Sequence, residues 1–429
     1  MINPIGRRRF LEIVGLTALA ANLNGAIAHA AAERLRLIFW GGQARADKTG
    51  KASKLFTNQN GVTVQNEFLA WNDYWTKLAT QIAGGNAPDV VQMDYRYIAE
   101  YAARNAIAPL DDFIGKELNL AGFDRDQIEG GKVNGKLYGI SLGANSVATI
   151  VNTAVFDKAG IKLPVGGFTY DQLYEYADVF KQAGLPNGIR VIVDASGNEQ
   201  MLENWLRQRK KALYTADGQL AFDADDATEW FTLWSKLREA GVCVTAEDNA
   251  LATGPMESTM IVSGKAALQP DNSNLLVAYQ SLMQDPLALA PYPLISSGAI
   301  GGQYRKPSMF FSIANSSAAK SQAAQFLSFF VNDLEAAQLL GTERGIPCSE
   351  PVRQALAPTL SPLERAGLEY VSGLGDILGP IPPSPPTAAG EVSQSVLATI
   401  SQQVAFGMEK PENAGPMLIQ QATELLSRR

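Results

Sequence analysis

Residues 35–94 read LRLIFWGGQARADKTGKASKLFTNQNGVTVQNEFLAWNDYWTKLATQIAGGNAPDVVQMD, and the alternation inside this stretch decides the fold class. Residues 35–40 are apolar at almost every position and stop at Gly41-Gly42, which is the pattern of a buried strand. Residues 48–58 have helical spacing with Leu55 and Phe56 inward. Residues 62–68 alternate as a strand does. Asn72 is placed to cap a helix carrying Trp75, Leu78, Ala79 and Ile82 on one face, ended by Gly84-Gly85. Residues 88–94 form another short strand. Strand, helix, strand, helix, strand predicts an α/β domain with a mostly parallel sheet.

Outward from this stretch, the signals are weaker. Residues 139–153 are strand-like but broken by Gly-Ala-Asn. Thr169 with Gln172 is a capping box. Trp230 and Trp234 lie on one helical face, residues 317–340 read as a long helical region, and residues 379–386 (GPIPPSPP) are too Pro-rich for helix. With 429 residues, two or three domains are expected. No linker separates them, and no internal repeat is visible.

The chain opens with Arg7-Arg8-Arg9, a short apolar stretch over 13–21, and Ala28-His29-Ala30. A basic start, apolar core and small-residue exit predict a signal peptide over residues 1–30. Arg7-Arg8-Arg9-Phe10-Leu11, two Arg followed by any residue, Phe and Leu, favours twin-arginine over general export, although Gly6 and Glu12 depart from that motif. Cleavage after Ala30 would remove the chain's one His and change the formal charge from −7 to −9, because three Arg and one Glu leave with it. Scarcity of His argues against His-ligated zinc and Ser/Cys-His triads. An acidic chain with no basic block is a poor nucleic-acid binder. An exported, periplasmic protein that does not span the membrane is expected, as a monomer. An oxidising compartment would permit a Cys243–Cys348 bridge; two separate buried thiols are the alternative.

Metal and phosphate-binding motifs are missing: there is no HExxH, CxxC or P-loop. Asp111-Asp112 and Asp223-Asp225-Asp226 read better as caps or solvated faces than as a glycosidase pair. No cofactor or metal is expected. Instead, aromatic and amide residues follow the strands, where ligands of open α/β sheets bind. Trp40, Gly41, Gly42, Gln43 and Arg45 follow the first, Trp71 the second, and Asp94 and Tyr95 the third. Rings cover the C–H faces of sugars, and amides, carboxylates and guanidinium groups bond their hydroxyls. Trp40 and Trp71 fit either a ligand platform or packing, whereas Trp75, Trp230 and Trp234 fit the core.

Longer segments carry a family resemblance. NAPDVVQMDYRYIAEYAARNAIAPLDDF (86–113), GKLYGISLGANSVATIVNTAVFDKAGI (135–161), the start FTYDQL (168–173), ESTMIVSGKAALQPDNSNL (257–275) and IANSSAAKSQAAQFLSFFVN (313–332) occur in an order and spacing that resemble the extracellular solute-binding proteins of ABC importers, in the carbohydrate-binding branch related to maltose-binding protein. Val151-Asn152 stands for the family's Tyr-Asn, and Ser141 for its proline. The resemblance implies a two-lobed α/β periplasmic-binding-protein fold with three crossovers, near Gly143, Leu268 and Ile313. Residues 33–143 plus 268–313 would form the first lobe, and 144–267 plus 314–429 the second. The ligand would sit between lobes that close about a hinge.

Carried over by position, the resemblance adds Asn145, Asn204, Trp205, Asp271, Asn272, Gly301, Gly302, Gln303, Tyr304 and Arg344 to the candidate ligand residues. Arg344 would reach in from the second lobe. Lys210-Lys211 stand where the family has a Gly-Gly turn. The function implied is a receptor that closes around a mono- or oligosaccharide and delivers it to an inner-membrane ABC permease. Arg45, Arg305 and Arg344 extend this to an anionic sugar. The alternatives are an exported polysaccharide-degrading enzyme and a same-fold receptor for a polyamine, phosphodiester or peptide.

Overall fold

The computed structural model describes residues 34–427, apart from 186–187, 253–255, 301, 384 and 387. The expected signal peptide lies outside these residues. In chain order the elements used below are β1 (Arg34–Trp40), α1 (Gln43–Asn60), β2 (Thr63–Leu69), α2 (Trp71–Ala83), β3 (Val90–Met93), β4 (Ile140–Ser141), β5 (Ala144–Asn145), β6 (Val147–Asn152) and α3 (Tyr170–Gln182). Then come β7 (Arg190–Ile192), α4 (Glu199–Gln208), α5 (Ala224–Glu239), β8 (Ala266–Asn272), β9 (Leu287–Ala290), β10 (Lys306–Pro307) and β11 (Phe310–Ile313). The last four are α6 (Lys320–Asn332), α7 (Leu334–Leu340), α8 (Ala398–Ala405) and α9 (Pro411–Ser427).

Contacts divide the described residues into two compact units, 34–142 with 309–356, and 143–308 with 357–427. The first unit holds a sheet in the order β2-β1-β3-β11-β4. Its opening is the parallel set read from the sequence: Trp40 pairs with Leu69 and Leu37 with Val90. β1 is an interior strand and almost wholly apolar, so both faces must be covered. Helix α1 covers one with Thr49, Ala52, Ser53 and Phe56, an i, i+3, i+4, i+7 stripe. Phe56 meets Phe326 and Phe329 of α6, each with ring centroids 5.1 Å apart, and Phe311 of β11 meets Phe330 at 4.8 Å. Helix α2 starts one residue before Asn72, with Ala70 in the cap position, so the expected Asn72 cap is not where the helix begins.

The second unit holds a mixed sheet, β9-β6-β8-β7. β8 runs antiparallel to β6 and parallel to β7. Thr169 caps α3 in the expected box, its hydroxyl accepting from the Gln172 N–H while the Gln172 side chain accepts from the Thr169 N–H. Asp223 and Asp226 form a second box at the start of α5. Trp230 and Trp234 of α5 are core residues, as read from their spacing. The Trp230 indole donates to the Ser196 carbonyl at 2.8 Å, which satisfies the one polar atom that ring buries.

Two expectations about the lobes are corrected. Leu268 is not at a crossover: it pairs with Val151 on one side and Ile192 on the other, in the middle of β8. Residues 320–356 belong to the first unit, because Phe326 and Phe330 of α6 close the core over Phe56 and Phe311. The apolar stripe of α6 shows that it covers a sheet and carries no information on which one. Cys243, in the second unit, and Cys348, in the first, are both free and buried. Burial pushes the Cys348 thiol up to about 12.

Candidate functional site

In the first unit, the carboxyl end of β1 opens onto aromatic rings. Trp40 is buried, with Trp71 edge-on at 4.9 Å, Tyr74 at 5.1 Å and Trp75 at 5.5 Å. Trp71 opens α2 and is 37% exposed, so its ring is presented while Trp40 and Trp75 back it. Trp75 extends the set to Tyr97 at 4.3 Å. Trp40 is therefore buried within the cluster, and Trp71 is its exposed ring. Gly42 and Gln43 are exposed, and Gln43 donates to Asp47 at 2.7 Å. A Cβ on Gly41 would meet Arg45 Cδ at 2.5 Å, so this glycine lets the arginine lie across the turn. The Asp94 carboxylate accepts from the Arg96 N–H at 2.9 Å and shapes the loop after β3, with Tyr95 buried beside it.

The expected cationic contacts are committed elsewhere. Arg45 donates from Nε to Glu343 at 2.7 Å and from Nη1 to the Trp40 carbonyl at 3.1 Å. Arg344 belongs to the first unit and is 5% exposed. It lies 5.4–5.9 Å from the ring centroids of Phe39, Phe311 and Phe330, and donates to Thr49 at 2.9 Å and Glu343 at 3.3 Å. Burial, with Arg45 alongside, pushes its guanidinium down to about 9, and Glu343 opposes this. It is a core cation and not a reach-in from the second lobe.

In the second unit, the residues carried over from the family are mostly buried structure. Asn204 and Gln208 of α4 and Gln303 form one amide relay. The Asn204 amide donates to Gln303 at 3.0 Å and accepts from Gln208 at 2.7 Å, while Gln208 also accepts from the Ile295 N–H at 2.9 Å. Gln303 donates to the Val147 carbonyl at 3.0 Å and to Tyr370 at 2.9 Å. A Cβ on Gly302 would come within 2.8 Å of Asn204 and Gln208, so this glycine exists for close packing. Trp205 is buried against Trp230 at 5.7 Å, with the Arg209 guanidinium 4.3 Å over its ring. The Tyr304 hydroxyl donates to Glu203 at 2.9 Å, and burial raises that carboxyl above its usual range. Asp271 accepts from the Tyr279 hydroxyl at 2.7 Å. Asn272, the next residue, lies 3.5 Å from the Gln200 amide, and Asn145 pairs with Lys306 across β5 and β10. Gly301 lies outside the described residues. Lys210 adopts φ +61°, so a lysine occupies the left-handed position that the family's glycine turn fills.

One pocket is lined by none of the residues singled out from the sequence. β7 is only three residues long, and the chain beyond its carboxyl end, residues 193–198, lines a pocket of about 510 Å³. Gln269 and Pro270 of β8 and Ser401, Gln402 and Phe406 at the end of α8 complete much of its wall. This is the place that the strand-end rule assigns to ligands, within the usual volume of a small-molecule site. The loop is held rigidly. Asp194 accepts from the Ser196 N–H at 3.0 Å and from Arg238 at 2.7 Å, and its carbonyl accepts from Asn249 at 3.2 Å. Asn198 then caps α4 through the Met201 N–H at 3.0 Å. Among the described residues the wall thus carries hydroxyl, amide and aromatic groups and one acidic side chain, Asp194, already paired with Arg238.

A family model described as bacterial extracellular solute-binding protein matches residues 51–360. The chain belongs to this family. An extracellular solute-binding protein family 1 structure from Alicyclobacillus acidocaldarius is 32% identical, with a TM-score of 0.83 over 92% of this chain and 98% of that one. A Rhizobium meliloti protein named "Probable sugar-binding periplasmic protein" is 26% identical over 277 residues, 59% of this chain and 61% of that one. A Brucella abortus binding protein is 29% identical over 145 residues, and the chain spans about a third of its length (34%). As a solute-binding protein, the chain has its polar pocket and its presented tryptophan at strand ends, where this architecture exposes backbone and side-chain groups to ligands. Among the described residues, no helix is long and apolar enough to cross a membrane, and no group of three or more His, Cys, Asp or Glu is placed to hold a metal.

Proposed function

We propose that this solute-binding protein is the exported, periplasmic receptor of an ABC importer. It binds a mono- or oligosaccharide and presents it to an inner-membrane permease, with no chemical step. The observation that carries this reading is the pocket beyond β7, whose hydroxyl, amide and aromatic lining suits sugar hydroxyls and C–H faces. Trp71 supplies a second, stacking surface in the first unit. The sugar-binding name of the Rhizobium relative supports the same ligand class.

A thermal-shift panel of neutral and acidic mono- to tetrasaccharides tests the reading. Ligand at 100 times its Kd adds about 2.7 kcal/mol to the stability of the native state. At least one sugar is expected to raise the melting temperature and to be recovered intact after prolonged incubation. A panel that leaves the melting curve unmoved refutes the sugar-receptor reading, and release of shorter products refutes binding without chemistry. Trp71→Ala is expected to weaken the binding of that sugar about tenfold, by loss of one stacking face. Because the Trp71 ring also packs on Trp40 and Trp75, the melting temperature without ligand should fall, and affinity is therefore read on the folded fraction. Unchanged affinity in isothermal titration would remove Trp71 from the site.

A further inference from the structure

Among the described residues that line the pocket beyond β7, one is ionisable, Asp194. That carboxylate is 1% exposed, and its partner Arg238 is 12% exposed, so the pair presents no free cation to a ligand. Arg238 is further occupied by Ser235 at 2.9 Å. Two polar atoms of the same wall are left over. The Ser401 hydroxyl and the Gln269 carbonyl oxygen are buried and have no hydrogen-bond partner in the protein. Ser401 itself is only 4% exposed, on the face of α8 that lines the pocket. A buried polar atom without a partner is costly, and a ligand that supplies the missing bond recovers that cost.

An anion entering this wall would leave its hydration shell, meet no unpaired positive charge and stand near the Asp194 carboxylate. One sugar hydroxyl can donate to the Gln269 side-chain oxygen, and a second can either donate to the Ser401 hydroxyl or accept from it. We propose that this pocket selects a neutral, hydroxyl-rich saccharide over its acidic counterpart, with Ser401 and Gln269 as the groups that bond it. This rests on the saccharide-receptor reading and narrows it.

The test uses matched pairs that differ only in the 6-carboxylate: galactose with galacturonate, glucose with glucuronate, and their α-1,4-linked di- and trisaccharides. Affinities come from isothermal titration of the exported chain. The expected result is a neutral member that binds at least tenfold more tightly than its uronate. Ser401→Ala should weaken the neutral sugar at least fivefold while the ligand-free melting temperature stays the same or rises, because the unpartnered buried hydroxyl is gone. Equal or tighter binding of the uronate overturns the selectivity and leaves the receptor reading standing. Selectivity for the neutral sugar with no effect of Ser401→Ala overturns the assignment of Ser401. Failure of both members of every pair refutes the receptor reading, and this inference with it.

Discussion

Arg344→Ala is expected to destabilise the protein by about 3–5 kcal/mol, the range for breaking a buried, paired charge and leaving its cavity behind. Three things are lost together. The guanidinium leaves the space between Phe39, Phe311 and Phe330, the Thr49 hydroxyl loses its 2.9 Å donor, and Glu343 keeps only Arg45. Arg344→Lys should recover only part of the loss, because a point charge on a flexible stem cannot stack on rings and reach Thr49 and Glu343 as a planar fork does. Denaturant titration measures the loss through the midpoint at constant slope. Sugar affinity of the folded variant should be unchanged. A drop in affinity at unchanged stability would return Arg344 to the ligand site.

Arg344 also shows where the sequence stopped being legible. Its local context, a cation before Gly-Ile-Pro, fits a reach-in as well as a core position. The rings that bury it come from Phe39, more than 300 positions earlier, and from two neighbouring elements, and no local pattern encodes that meeting. The same holds for Arg45, whose partner Glu343 is 298 positions away. By contrast, β1, β2, β3 and the Thr169 box were readable, because apolar runs, period-2 alternation and capping chemistry are local signals. The pocket was missed for a definite reason. β7 has three residues, too few to show a period, and without that strand residues 193–198 cannot be recognised as a strand end. In sequence, Asn204 and Gln303 of the amide relay read as ligand contacts, and Gln208 carries no such signal. Side chains built to bond a sugar and side chains built to bond each other have the same chemistry, and only their mutual distances separate the two uses.

Asp194→Ala should cost about 3–5 kcal/mol as well and, unlike the change at Arg344, abolish most of the ligand affinity. Asp194 joins two roles through its two oxygens. Oδ2 neutralises Arg238, which is 12% exposed and would otherwise be a buried cation without its carboxylate. Oδ1 accepts from the Ser196 N–H and so fixes the turn that carries the chain from β7 to the Asn198 cap of α4. Removing both contacts frees the wall of the pocket and leaves Arg238 to be met by Ser235 and Ser196 alone. Asp194→Asn separates the roles. Its carbonyl oxygen can still accept from Ser196, so the loop keeps its shape, while the ion pair is lost. The Asn variant should therefore lose stability with much of its sugar affinity retained, and the Ala variant should lose both, with affinity down more than tenfold. Melting curves without ligand and titrations of the folded fraction read the two effects independently. Equal affinities for Ala, Asn and the parent would mean that the loop beyond β7 is not the wall against which the ligand is held.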